Sequence, residues 1–379
     1  FTFTRPMAGI RVGILTIKEK WEKHLGSACS YITSDYLSDK FPKKIESQNM
    51  LINSAVCPTA ELAAAIKMGA SLKRGSMLIS FAASEQEIDS FSPTEKLAAA
   101  AEFDGELTLI TDTWHIFQHN AKEIRSDFKL LTGNRKSQPL TDKATTVYNE
   151  GHIFVEEGAS VKAAILNAEN GPIYIGKNAR IGEGAIIRGS LALCEGAEIA
   201  MGAKIRGDST VGPHCKVGGE VSNSVFFGYS NKGHDGYMGN SVIGEWCNLG
   251  ADTNTSDLKN NYANVKLWNY VEERFKDTGL QFCGLIMGDH SKCGINTMFN
   301  TGTVVGVSAN IYGSGFPRNF IPSFAWGGAS GFTTFQLKKV YEVAEKVMER
   351  KEIDFNEREK AILQSHFNDQ QAERFWEKE

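Results

Sequence analysis

From Ile175 onward, aliphatic residues recur at every sixth position: Ile175, Ile181, Ile187, Leu193, Ile199, Ile205, Val211 and Val217. A second series runs Met287, Cys293, Phe299, Val305 and Ile311, and Ile243 with Leu249 is a shorter piece of the same pattern. Neither the helix period of 3.6 nor the strand period of 2 produces this spacing. A period of six fits a solenoid in which each hexapeptide makes one short strand and one turn, and three hexapeptides close a triangular coil. The aliphatic residue then points into the prism. Gly follows directly at Gly176, Gly182 and Gly212, and a small residue stands four places on at Ala179, Ala185, Ala197 and Ala203. Glycine is favoured where a turn needs positive φ, and the chain uses 37 of them in 379 residues.

The repeat is disturbed from Asn223 to Asn240 and interrupted from Asn254 to about Phe282, where Trp268 and Tyr270 lie. Excursions from a rigid solenoid are where function concentrates. Residues 1–140 lack the period. There, Met50–Ile52 and Met77–Ile79 read as buried strands, and Thr59–Met68 reads as a helix capped by Thr59. Thr111–Phe128 predicts a further helix ahead of a polar linker near Arg135–Asn149. Alternating strands and helices imply an α/β layer. Near the C-terminus, Leu337, Val340, Tyr341, Ala344, Val347 and Met348 form one apolar helix face, and Asp354 with Glu357 marks a second helix start. Three units follow: an α/β segment at 1–140, a β-helix at 141–332 and a helical tail at 333–379.

A net charge of −4 argues against a nucleic-acid reader. No run of about 18 apolar residues is present, so no membrane span is expected. Seven cysteines, an odd number without a CxxC pair, argue against a disulfide framework and suit a cytoplasmic protein.

The six-residue pattern resembles the left-handed parallel β-helix of hexapeptide-repeat acyltransferases. Moving an acyl group from a thioester to a sugar amine needs a base, oxyanion donors and a cation for any sugar phosphate. The stretch Asn231–Asn261 gathers His234, Tyr237, Asn248, Asn254 and Lys259. His234, flanked by glycines, is the candidate base. Arg206 and Lys232 are candidate substrate cations, and Tyr237 and Asn248 candidate hydrogen-bond groups. Simpler readings stand beside these: Arg206 as a solvated surface residue, and Asn254 as a turn cap. His214 and His290 do not have the spacing of a three-histidine metal site, so no metal is expected with His234.

The motif order is more specific. Gly233-His234-Asp235-Gly236-Tyr237, followed by Asn248-Leu249-Gly250-Ala251-Asp252-Thr253, resembles the acetyltransferase half of the GlmU-like family, bifunctional N-acetylglucosamine-1-phosphate uridyltransferases and glucosamine-1-phosphate acetyltransferases. The resemblance implies His234 as catalytic base, with Tyr237, Asn248 and Arg206 on the substrate. It implies acetyl-CoA along later coils near Gly294 and Tyr312, and a homotrimer with sites between subunits. A second substrate Asn of the family falls near Asp257, and its Lys ahead of the base near Ser224, with Lys232 as a substitute. The family's architecture also implies a nucleotidyltransferase-like, Rossmann-like α/β segment ahead of the β-helix. Phe1–Met7 resembles the tail of that segment's phosphate-binding signature, with Arg5 as its remaining nucleotide-binding cation and its glycine-rich loop ahead of Phe1. Met7 stands where the family has Lys, and Asn53-Ser54 where it has a metal-binding Gly-Asp. These departures predict absent or altered nucleotidyl transfer, with Mg²⁺ only if that activity persists. The alternatives are a sugar-1-phosphate nucleotidylyltransferase that uses the β-helix to oligomerise, and a non-catalytic binder of nucleotide sugar or CoA.

Overall fold

The computed structural model describes residues 1–377. Its central element is a left-handed parallel β-helix with three walls. Wall one contains the strands Thr146–Tyr148, Ile165–Asn167, Ile186–Arg188, Lys204–Ile205, Glu220–Ser222 and Tyr237–Gly239. Wall two runs through nine strands from Ile153–Val155 to Phe320–Ile321. Wall three runs from Ser160–Val161 to Ala325–Gly328 and closes with the antiparallel strand Gly331–Thr334. Ile175 pairs with Leu193 and Leu193 with Val211, one full coil apart each time. All eight residues of the long series are buried in one interior cluster, so the period of six is the period of the prism.

The disturbance at Asn223–Asn240 is not a break in the structure. The walls continue through Val225–Gly228, Asn231–Lys232 and Tyr237–Gly239. The coils shorten instead: Thr210 pairs with Val225, and Val221 with Met238. The interior rung is Phe226, Lys232 and Met238, still six residues apart, and the lysine hides it from an aliphatic count. The interruption after Asn254 is a true insertion. It follows the strand Asn254–Thr255, which pairs with Met298–Phe299, folds into an antiparallel hairpin of Lys266–Asn269 with Arg274–Asp277, and rejoins wall two at Ile286–Met287.

The N-terminal segment combines helices with a four-stranded sheet, as an α/β layer requires. Thr59 caps the helix Ala60–Lys67 by accepting from the Leu62 amide at 3.1 Å. The sheet itself is mostly antiparallel: Gln48–Ile52, Met77–Ser84 and Leu72–Arg74 are antiparallel neighbours, and only Leu72–Arg74 with Ala101–Glu102 is parallel. The segment lies against the outer face of wall two. Ile10, Val12, Trp114 and Phe117 share one core with Val225, Phe227, Val242, Ile286 and Val304. A buried polar seam fixes the long helix Thr113–Thr132 in place. The Lys20 ammonium lies 2.5 Å from Asp127 and 3.0 Å from Glu123. Asp127 also accepts from the Ile14 amide at 2.8 Å. Gly13 (φ +81°) is required there, because a Cβ would stand 2.5 Å from the Asp127 carboxylate.

The tail forms helices Leu337–Glu349 and Glu357–Asp369, the first burying Val340, Ala344 and Met348. They pack on Trp246, Val307 and Phe324 of the β-helix. No helix among the described residues is long and apolar enough to cross a membrane.

Candidate functional site

Strand parity decides what each residue of the central motif can do, because successive side chains on a wall point to opposite sides. Lys232 and Met238 point inward and Tyr237 outward. Lys232 therefore enters the prism, where it is 1% exposed. Its ammonium donates to the carbonyls of His234 (2.9 Å), Gly218 (3.3 Å) and Asp235 (3.3 Å). Burial lowers its pKa to about 8. This corrects the reading of Lys232 as a substrate cation. It pins the turn that carries His234, and His234 itself is exposed at the corner between walls three and one. Gly236 (φ +117°) completes the corner, since a Cβ there would lie 2.1 Å from the Thr253 carbonyl oxygen.

Next to this corner, on wall one, lies a polar network. The Tyr237 hydroxyl donates to Asp257 Oδ2 at 3.0 Å, and Asn240 Nδ2 donates to the same oxygen at 2.7 Å. Asn223 Nδ2 extends the chain to Asn240 Oδ1 at 2.7 Å. Burial, followed by the Asp257 charge, pushes the Tyr237 hydroxyl above its ordinary pKa, so it remains a donor. Gly239 leaves the space for this contact: a Cβ would stand 2.2 Å from Asp257 Oδ2 and 2.4 Å from the Tyr237 hydroxyl. Asn254 accepts from the Tyr237 amide at 2.8 Å and donates to the Asp252 carbonyl at 3.0 Å. Both ends of its side chain serve the main chain, as a turn cap would.

The other candidates are distributed around this corner. Arg206 is exposed on wall one, with its guanidinium 3.1 Å from Glu220. Asn248 is exposed on wall three, paired between Asn231 and Lys292. The corner of His234 thus separates Asn248 from Tyr237. Lys259 belongs to the insertion and donates to the Asn264 carbonyl at 2.8 Å. Gly294 and Tyr312 are neighbours further along wall three, and Tyr312 is half exposed. His214 and His290 stand at a different corner, in an aromatic stack with Tyr229 and Trp246.

Arg5 is a second correction. It is buried, paired with Glu245 at 3.1 Å and with Asp289, and Thr4 also donates to Asp289. Its guanidinium lies 5.1 Å from the centre of the Phe227 ring. Two carboxylates from wall two neutralise its charge, so it fastens the N-terminal segment to the β-helix and leaves no cation for a nucleotide. At the position where a Mg²⁺-binding carboxylate would be required, Asn53 donates to the Leu78 carbonyl (3.1 Å) and accepts from the Ala55 amide (3.0 Å). A neutral carboxamide spent on its own turn does not fit a hard dication.

Sequence reasoning named Asp257 only as the position near which the family's second substrate Asn falls; its contact with Tyr237 comes from the register between coils. Lys232 carried a signal, because it falls six residues after Phe226 and six before Met238.

Comparison with known proteins matches residues 1–136 to the family described as sugar nucleotidyl transferase. The bifunctional protein GlmU of Methanococcus aeolicus is 29% identical over 147 residues, covering 34% of this chain and 35% of that protein. GlmU of Methanocaldococcus jannaschii is 37% identical over 87 residues, covering 23% of this chain and 21% of that protein. The aligned part thus spans about a third or less of these relatives' length. Among solved structures, AntD, an N-acyltransferase from Bacillus cereus in complex with dTDP and 3-hydroxybutyryl-CoA, aligns at 14% identity with a TM-score of 0.24, covering 55% of this chain and 86% of that one. A likeness at that level carries no weight. Residues 1–136 thus match a sugar nucleotidyl transferase family, and parts of the chain are similar to several GlmU proteins.

Proposed function

We propose that the chain is an acyltransferase that uses acetyl-CoA to acylate an amino-sugar phosphate such as glucosamine-1-phosphate, with His234 as general base. The observation that carries this reading is the His234 corner: an exposed imidazole on a turn pinned from inside by Lys232, beside the Tyr237–Asp257–Asn240 network. The amine nitrogen attacks the thioester carbonyl as His234 takes its proton. The C–S bond breaks and the departing thiolate recovers that proton from the imidazolium. Tyr237 and Asp257 offer a donor and an acceptor to sugar hydroxyls, Arg206 offers charge to the phosphate, and Asn248 offers its amide from wall three. The GlmU-like relationship supports the same chemistry. The test is thiol release from acetyl-CoA with glucosamine-1-phosphate, beside His234→Ala. Turnover that disappears in the variant supports the reading, and unchanged turnover overturns it.

A second reading, sugar-1-phosphate nucleotidyl transfer, is favoured by the family match over residues 1–136. The neutralised Arg5 and the carboxamide of Asn53 weigh against it. Pyrophosphate release from a nucleoside triphosphate and a sugar-1-phosphate would restore it. We also propose a homotrimer, consistent with the exposed Ile165 and Ile186 on wall one. A light-scattering mass below three chains would contradict that.

A further inference from the structure

The insertion and the tail line a cleft of about 950 Å³ that, Lys259 apart, contains none of the candidate residues described above. We propose that this cleft binds a nucleotide, taking an aromatic base together with its phosphates. The volume suits a ligand of that size. One side is aromatic. Trp268, on the hairpin, stacks on Phe320 of wall two with centroids 4.3 Å apart and planes 13° from parallel, and Phe275 meets Trp268 edge-on at 5.5 Å. Such surfaces accept a base by stacking.

The other side is cationic. Lys259, Lys266 and Arg318 all line the cleft. The described partners of two of them are neutral: Arg318 lies 5.0 Å from the centre of the Phe375 ring, and Lys259 donates to a main-chain carbonyl. Phosphate oxygens would supply the charge-assisted bonds these groups otherwise lack. Lys266 and Trp268 stand two apart on one strand and so face the same side, where base and phosphate contacts would be made together. Two acids, Glu273 and Glu373, also line the cleft, and burial pushes the Glu373 carboxyl up to about 7. The balance therefore stays positive at neutral pH.

The cleft adjoins the wall-one network. Thr301 lines it and shares a 2.7 Å hydrogen bond with Ser256, the residue before Asp257. Two sources fit the chemistry: the adenosine diphosphate of CoA, or the nucleoside diphosphate of a nucleotide-linked sugar. Only the choice between these sources rests on the acyl-transfer reading; binding itself does not.

The experiment is isothermal titration of the full chain with CoA and, separately, with UDP. Arg318→Gln and Lys266→Gln alter exposed residues, so they leave the fold intact. The expectation is that at least one probe binds and that each variant weakens it about tenfold. Tighter binding of UDP assigns the cleft to a nucleotide-linked acceptor, and tighter binding of CoA to the donor. No binding of either probe at millimolar concentration, or binding that both charge variants leave unchanged, overturns the proposal. Failure of thiol release with binding intact would overturn the acyl-transfer reading alone.

Discussion

Walls one and two are built by the same hexapeptide rule and differ on their outer faces. On wall two the outward residues Val225, Phe227, Val242, Ile286 and Val304 are buried beneath the N-terminal segment. On wall one the outward residues Lys204, Glu220 and Tyr237 meet solvent or the insertion. The interior column therefore determines the solenoid, and the outer columns determine use. A wall covered by another segment reads as a continuous apolar run, as in Val225-Phe226-Phe227, whereas an open wall alternates. Buried charge follows the same division. Arg5, Glu245 and Asp289 hold the covered wall, and Lys232 holds the open one from within.

The comparison breaks most severely at Arg5. Arg5→Met leaves Asp289 buried without its cation, and the expected loss of unfolding free energy is about 3–5 kcal/mol, read from chemical denaturation. A loss under about 1 kcal/mol would mean that the triad does not fasten the segment.

Lys232 gives the next largest effect, and it depends on pH. Its folded pKa, about 8, lies below its ordinary 10.5. Between those values the unfolded chain binds more protons than the folded one, so this residue's contribution to stability rises with pH across that window. Six fully or largely buried cysteines, among them Cys215 and Cys247 with pKa values raised by burial, work in the opposite direction. The measurement is therefore a difference. Wild-type stability minus that of Lys232→Met should rise by up to about 3 kcal/mol between pH 8 and 10.5. A flat difference would contradict a buried ammonium.

Smaller effects sharpen wall one. Tyr237→Phe removes one of two donors to Asp257 and should cost about 1 kcal/mol of stability, with a raised KM for the acceptor. An unchanged KM would place the network outside the site. Arg206→Gln disrupts only an exposed pair, so stability should move by about 0.5 kcal/mol or less. KM for a phosphorylated acceptor should still rise several-fold, against little change for an unphosphorylated one.

The solenoid was legible because a rigid interior repeats its demand every six residues. The two helices of the tail and the Thr59 cap were legible from local rules. The rung through Lys232 was obscured because a lysine breaks the aliphatic count even when its ammonium is satisfied by three carbonyls. Arg5 read as a phosphate-binding cation because its partner Asp289 lies 284 residues away. The contact of Asp257 with Tyr237 was hidden for a related reason: it depends on coil length, and coil length changes at Val225 and Met238.

The most direct test of the central claim, that the exposed corner of wall one performs acyl transfer, is the rate of acetyl-CoA thiol release by His234→Ala with glucosamine-1-phosphate, normalised to folded protein. The account predicts a fall of about a hundredfold or more with an unchanged denaturation midpoint, because His234 is exposed and contributes only its carbonyl to the Lys232 cage. Wild-type turnover in that variant would contradict it.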